Sequence, residues 1–94
     1  MEEISCVGVV DGGMFVAESG EAIVLARVRA PRVGLPGGAV LRMLTQRRVQ
    51  DRRVQVQRIG TDRFGNALAE VWVDGENLND AALAALRERG YAEP

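Results

Sequence analysis

Apolar residues recur along this chain in short blocks punctuated by Gly, Pro and Asp, and the period of the blocks changes from two to three or four and back. Residues 4–10 are apolar and β-branched, with Gly8 interrupting them as a bulge or a close backbone approach does. Asp11-Gly12-Gly13 turns the chain. Residues 14–17 and 22–28 read as the second and third strands, joined by Glu18-Ser19-Gly20-Glu21, a loop whose glycine supplies a positive φ. Alternation puts Ile23, Leu25 and Arg27 on one face of the third strand and Val24, Ala26 and Val28 on the other. Both faces are largely apolar, which predicts a strand flanked on both sides, as in a small barrel.

Ala30-Pro31 stops the ladder, because proline has no amide hydrogen to donate, and Leu35-Pro36-Gly37-Gly38 is a second breaker cluster. Val40, Leu41, Met43 and Leu44 then repeat at helical spacing, predicting a helix over 39–48 with Arg42, Gln46 and Arg47 toward solvent and no side-chain cap at its start. Residues 53–59 return to alternation, with Val54 and Val56 opposed to Gln55 and Gln57. A polar loop over 61–66 leads to a fifth strand over 67–73. The last helix is expected to be capped by Asn79, with Asp80 in its first turn, Leu78 closing on Leu83 as a hydrophobic staple, and Ala82, Leu83 and Leu86 as its buried stripe. Arg87 and Arg89 suit its last turn, Gly90 its C-terminal stop, and Tyr91 is expected to pack back onto the body. Five short strands, a helix between the third and fourth, and a terminal helix predict a β-rich α+β fold. They suit a five-stranded Greek-key OB-fold barrel in a single domain, 1–94, with an open α+β sheet as the competitor.

Composition narrows the chemistry. The one cysteine, Cys6, lies in an apolar run and reads as an inert buried thiol, and the absence of histidine excludes Cys/His zinc sites. No cofactor is expected. No apolar run approaches the roughly 18 residues that cross a bilayer, and the start of the chain lacks a basic region followed by an apolar one. A cytoplasmic protein without a membrane partner is therefore expected. The net charge of −1 conceals a segregation: residues 27–63 carry ten arginines against Asp51 and Asp62, net +8, while residues 1–26 carry −5 and residues 64–94 carry −4. Such a block can attract phosphate, but it reads first as a solvated face paired after folding with acids from the other two segments.

Residues 61–75, Thr-Asp-Arg-Phe-Gly-Asn-Ala-Leu-Ala-Glu-Val-Trp-Val-Asp-Gly, resemble the signature of the staphylococcal nuclease family, in which a turn ending in Gly-Arg precedes a strand and an Asp-Gly turn. Val9-Val10-Asp11-Gly12-Gly13-Met14 resembles that family's opening motif, residues 25–31 its third strand and the proline that follows, and Asn79-Asp80-Ala81 the start of its last helix. The resemblance implies the OB-type barrel. It also implies calcium-dependent phosphodiester hydrolysis, for which a hard cation needs carboxylate ligands, water needs a base, and the developing phosphorane charge needs cations.

At the positions where the family carries those groups this chain has others. The second acid of the opening motif, a metal ligand, aligns with Gly13, and the acid closing the third strand, another ligand, with Arg29. The glutamate after the proline aligns with Arg32, and the two arginines with Val24 and Asn66. Asp11 remains, but no acid at all lies between Glu21 and Asp51, and guanidinium in place of carboxylate repels a dication. The expected protein is not an enzyme but a pseudo-nuclease: a protein-interaction or scaffold module, including self-association between the acidic and basic segments. The alternative is a binder of single-stranded nucleic acid through Arg27, Arg29, Arg32 and Arg63, with Phe64 or Trp72 stacking on bases. A nuclease with a rebuilt site is the third reading.

Overall fold

A computed structural model describes residues 1–89 of the protein. Its elements are β1 (Glu2–Asp11), β2 (Met14–Ala17), β3 (Ala22–Leu25), α1 (Gly38–Val49), β4 (Arg53–Thr61), β5 (Ala67–Val73), β6 (Glu76–Asn77) and α2 (Leu78–Glu88). The strands run β3-β2-β1-β4-β5-β6, and β3 also pairs in parallel with β5, so the first five strands close into a mixed barrel. That closure decides against the open sheet. β3 is flanked by β2 and β5, as its two apolar faces predict.

Inward residues follow the pleat. Phe15, Ile23, Leu25, Val54, Val56, Ala69 and Val71 are nearly solvent-free and form one cluster with Leu41 and Val49 of α1 and Leu78, Leu83 and Leu86 of α2. The barrel's interior is therefore filled by β-branched and small side chains, with one aromatic, Phe15, at its centre.

β1 is longer than its apolar core, because Glu2 and Glu3 extend it by pairing with Val56 and Gln55 of β4. Its register shifts between Cys6 and Gly8, the bulge that Gly8 signalled. Beyond that bulge β1 has left β4, and α1 lies along the freed side. Gln50 Nε2 donates to Val7 O at 2.8 Å, Arg42 Nε to Val9 O at 2.9 Å, and Thr45 Oγ1 to Gly12 O at 3.0 Å. α1 and the residue after it thus bond carbonyls along β1 and the turn that follows it. This corrects the placement of Arg42 in solvent and the apolar stripe of α1. Gly38, Leu41, Thr45 and Val49 are buried, while Met43 is exposed. Thr45 can replace an aliphatic residue there because its hydroxyl is bonded. As expected, α1 starts without a side-chain cap, on Gly37 at φ 80°. Gly38 sits so close to the preceding loop that a Cβ would lie 1.9 Å from Arg32 O.

The third strand ends at Leu25, three residues earlier than alternation suggested. Arg27 takes φ 69°, which breaks the pleat and lets both Ala26 and Val28 turn inward. β6 was not foreseen: Asp74 (φ 50°) and Gly75 (φ 81°) make a tight turn of the kind that needs two positive φ values, bringing Asn77 opposite Trp72. That turn moves the helix start. Asn77, not Asn79, caps α2, its side chain accepting from Asp80 N at 2.8 Å. Leu78 is then the first helical residue rather than half of a staple preceding the helix, although Leu78 and Leu83 are both in the core. Gly90 and Tyr91, expected to end and pack the helix, lie outside the described residues.

Asn79 is fully buried and saturated. Its Oδ1 accepts from Val71 N at 2.9 Å, and its Nδ2 donates to Ala26 O at 2.9 Å and Ala69 O at 3.0 Å, tying α2 to β5 and to the turn after β3. Asn79→Ala leaves buried backbone groups unbonded and is expected to cost roughly 2–4 kcal/mol. Asn77→Ala, a lost cap, should cost about 1 kcal/mol. Urea unfolding followed by circular dichroism measures both; equal costs would show that Asn79 carries no more than a cap.

Candidate functional site

The outer wall of the barrel is set by the residues that alternate with the core. On β2 these are Met14 and Val16, on β3 Ala22 and Val24, and on β5 Leu68, followed by Glu70 and Trp72 beyond the β3 pairing. Register puts them side by side, Met14 opposite Val24, Val16 opposite Ala22, and Val24 opposite Leu68, while Gly60 of β4 lies opposite Leu68 next to the exposed Ile59. Five half-buried aliphatic side chains therefore make one apolar face across β2, β3 and β5. The face of strands 2 and 3, with the loops after strands 1 and 4, is where OB-folds bind extended polymers.

Two loops bound this face. In the loop after β1, Asp11 Oδ1 accepts the Gly13 amide at 2.7 Å, and Gly13 O accepts Leu25 N at 2.8 Å. Burial pushes the Asp11 carboxyl up; the Gly13 bond and the field of Arg32 oppose it without cancelling it. A side chain at Gly13 would meet Val28 Cγ1 at 3.4 Å from its Cβ, in van der Waals contact with an apolar group. In the loop after β4, Asp62 organises the turn. Its Oδ1 accepts from Phe64 N and Asn66 N at 2.9 Å each, and its Oδ2 from Asn66 Nδ2 at 3.1 Å. Burial acts to raise the Asp62 carboxyl, and these bonds together with Arg63 outweigh it, holding it below the usual range. The Asn66 side chain is thus engaged in shaping its own loop.

Five of the ten arginines in the basic segment are neutralised within the chain. Arg27 bonds Glu70 (2.7 Å) and Asp80 (3.1 Å), Arg48 bonds Glu76, Arg52 bonds Asp74 (3.5 Å), Arg53 bonds Glu3 (2.9 Å), and Arg58 bonds Glu2 and Glu21 (2.6 Å each). Every acid partner comes from one of the two acidic segments, so the segregation of charge along the sequence is largely cancelled in space. Arg29, Arg32, Arg47 and Arg63 make no ion pair among the described residues.

The six residues singled out for anion or nucleic-acid binding are dispersed accordingly. Arg27 is held by Glu70 and Asp80. Arg29 and Arg32 are exposed in the loop after β3. Arg63 and Phe64 meet at the tip of the β4–β5 loop, the guanidinium 4.9 Å from the ring centroid, with Phe64 73% exposed. Trp72 lies in the half of β5 that pairs with β6, between Gln55 and Asn77, beyond the stretch that pairs with β3. Met14, Val16, Ala22 and Leu68 were not singled out. The signal for them was present in the apolar outer positions of the second and third strands, but their adjacency to β5 depends on a parallel pairing between distant segments.

Calcium does not fit this wall. The positions available to it present the bare backbone of Gly13, the guanidinium groups of Arg29 and Arg32, and one carboxylate, Asp11, already bonded to an amide. Among the described residues no three Asp, Glu, His or Cys groups gather.

A closed five-stranded barrel with a helix inserted after its third strand and another after its fifth is an OB-type α+β fold. Comparison with protein families matches residues 22–93 to the staphylococcal nuclease homologue family, and the chain belongs to that family. The match begins at β3 and includes the Thr61–Gly75 motif and the start of α2; β1 and β2 precede it. No curated protein matches the chain.

The ion pairs titrate with a defined sign. Arg27 holds the Glu70 carboxyl below its ordinary value, outweighing burial. A depressed carboxylate stabilises the fold above its unfolded pKa, and that contribution is lost as pH falls through the folded one. Arg27→Ala should raise the Glu70 pKa, read by carboxyl NMR, and start acid unfolding at higher pH. An unchanged Glu70 titration would show that the pair does not persist in solution.

Proposed function

We propose that this protein is a non-catalytic staphylococcal-nuclease-like domain that works as a protein-interaction or scaffold module. The apolar row Met14–Val24–Leu68 carries this reading, because it occupies the wall on which the family resemblance puts phosphate-directed arginine chemistry. An apolar wall cannot stabilise a developing phosphorane charge, and desolvating a phosphodiester against it is unfavourable. Aliphatic side chains on an outer sheet face are instead suited to burial by another protein. The loss of acids at Gly13, Arg29 and Arg32 supports the same reading, since neither a metal ion nor a base has a ligand set there.

A second reading, single-stranded nucleic-acid binding, is favoured by one observation: Arg63 stacks on the exposed Phe64 ring, which offers a charged and a stacking surface together. It is the weaker reading, because Arg27 is spent on Glu70 and Asp80 and Trp72 lies apart from Phe64 along β5.

The two readings and catalysis separate in one series of measurements. With calcium present, the purified protein is expected to leave single-stranded DNA and RNA intact; chelator-sensitive cleavage would overturn the non-catalytic reading. Oligothymidylate affinity is expected to be weak at low salt. A strong affinity falling steeply with salt, with a slope corresponding to several phosphate contacts, would favour the nucleic-acid reading instead.

A further inference from the structure

β4 is covered unevenly. On one side it pairs with β5, from Gln55 opposite Trp72 to Thr61 opposite Ala67. On the other, β1 covers it only from Arg53 to Val56, where Glu2 begins the ladder. Past Val56 the described residues put no strand on that edge, and residues 57–61 are all exposed. The unpaired N–H and C=O groups of such an edge are a template for another strand. Edges are commonly blunted by proline, by lysine or another charge, or by a bulge. Residues 57–61 contain neither Pro nor Lys. Their one charged side chain, Arg58, follows Val54 and Val56 in the alternation and is tied to Glu2 and Glu21 of the same molecule at 2.6 Å each. A bulge is present, and it displays an apolar group: Ile59 is the extra residue between Arg58, opposite Ala69, and Gly60, opposite Leu68, and it is 54% exposed. Ile59 and Gly60 together face Leu68, so the row Met14–Val24–Leu68 reaches the free edge at Ile59.

We infer that this edge of β4 is a self-association site, at which a second copy of the chain lays its own β4 antiparallel to the first across a two-fold axis at Ile59. The inference rests on the interaction-module reading and names the partner. In that register Arg58 faces Gly60 of the second copy and Ile59 faces Ile59, so no like charges are opposed and the two exposed aliphatic groups cover each other. Moving the axis to Arg58 would oppose two guanidinium groups, and moving it to Gly60 would set each Ile59 against a threonine. The three central pairs, at Arg58, Ile59 and Gly60, lie clear of the β1 ladder. Another protein's strand would satisfy the same backbone groups, and the match of Ile59 and Gly60 to themselves is what selects a second copy. Nucleic acid fits the edge less well, because phosphates only accept hydrogen bonds and leave the edge carbonyls unpaired. Attraction between the charged segments is not what joins the copies, since five arginines of the basic segment are paired with acids inside one chain. The seam is as short as the one between β3 and β5, and smaller than a permanent dimer needs, so the dimer forms and dissociates with concentration.

The test is sedimentation velocity from micromolar to millimolar protein, with NMR on a mixture of isotope-labelled and unlabelled chains. A monomer–dimer equilibrium is expected, with intermolecular NOEs between Ile59 methyls and amide exchange over residues 57–61 that slows as concentration rises. Ile59→Lys, at an exposed position, sets like charges opposite each other and should weaken the dimer about ten-fold, with circular dichroism showing the fold intact. Met43→Ser, which removes an exposed aliphatic group on α1, should leave the dimer unchanged. A monomer throughout, a dimer that Ile59→Lys does not weaken, or equal weakening by Met43→Ser would each overturn the inference while leaving the interaction-module reading standing. Calcium-dependent cleavage in the preceding assays would remove that reading itself. A dimer weakened by Val24→Asp and not by Ile59→Lys would overturn the inference in favour of the sheet face, and protection of residues 57–61 by oligothymidylate in a monomeric protein would overturn it in favour of nucleic acid.

Discussion

The structure depends on the closure between β3 and β5, and that closure depends on one buried amide. β3 is only four residues long and meets β5 over three residue pairs, so strand pairing alone is a short seam. Asn79 extends it from outside the sheet, donating to a carbonyl at the end of β3 and another on β5 and accepting a β5 amide. Because the side chain is saturated and solvent-free, it holds three backbone segments in one arrangement. The barrel interior and the apolar outer wall both follow, since a register slip of one residue on either strand would exchange Ile23 and Val24 between core and surface.

Charge is organised by the same folding. The arginines of the middle segment and the acids of the two flanking segments come together as β1, β3 and the β5–α2 region wrap around β4 and α1. Individually these exposed pairs contribute little to stability. Their larger effect is on what the surface can attract. With Arg27, Arg48, Arg52, Arg53 and Arg58 paired, the positive potential that the sequence suggests is confined to a few groups, chiefly Arg29, Arg32, Arg47 and Arg63. Two of those lie in the loop that follows the apolar wall and one in the loop that precedes β5.

Residues that shape the fold and residues that would act on a ligand are held in different ways. Turn and cap residues such as Asp62, Gly65, Asp74 and Gly75 act locally, through their own backbone, and they persist with the barrel. Residues that act on a ligand need partners from several strands at once. Gly13, Val24, Arg29, Arg32 and Asn66 have no such partnership for a metal: Asn66 is engaged with Asp62, Val24 with Met14 and Leu68, and a Cβ at Gly13 would touch Val28.

Several features are decided between neighbouring residues and were legible along the chain: the order of the main strands and helices, the bulge at Gly8, the uncapped start of α1, and the apolar character of both faces of β3. Where it misled, a distant segment intervened. Alternation carried β3 to Val28 because nothing local announces that Arg27 would adopt a positive φ and bond Glu70. Asn79 looked like a cap because a buried asparagine and an exposed one have the same neighbours in sequence. Folding settles that Asn77 caps and Asn79 ties, that Thr45 and Arg42 satisfy β1 and the turn after it, and that Met14, Val24 and Leu68 lie side by side. Each of these depends on groups far apart in the chain, and the hydrogen bonds and register that join them exist only once the barrel has closed.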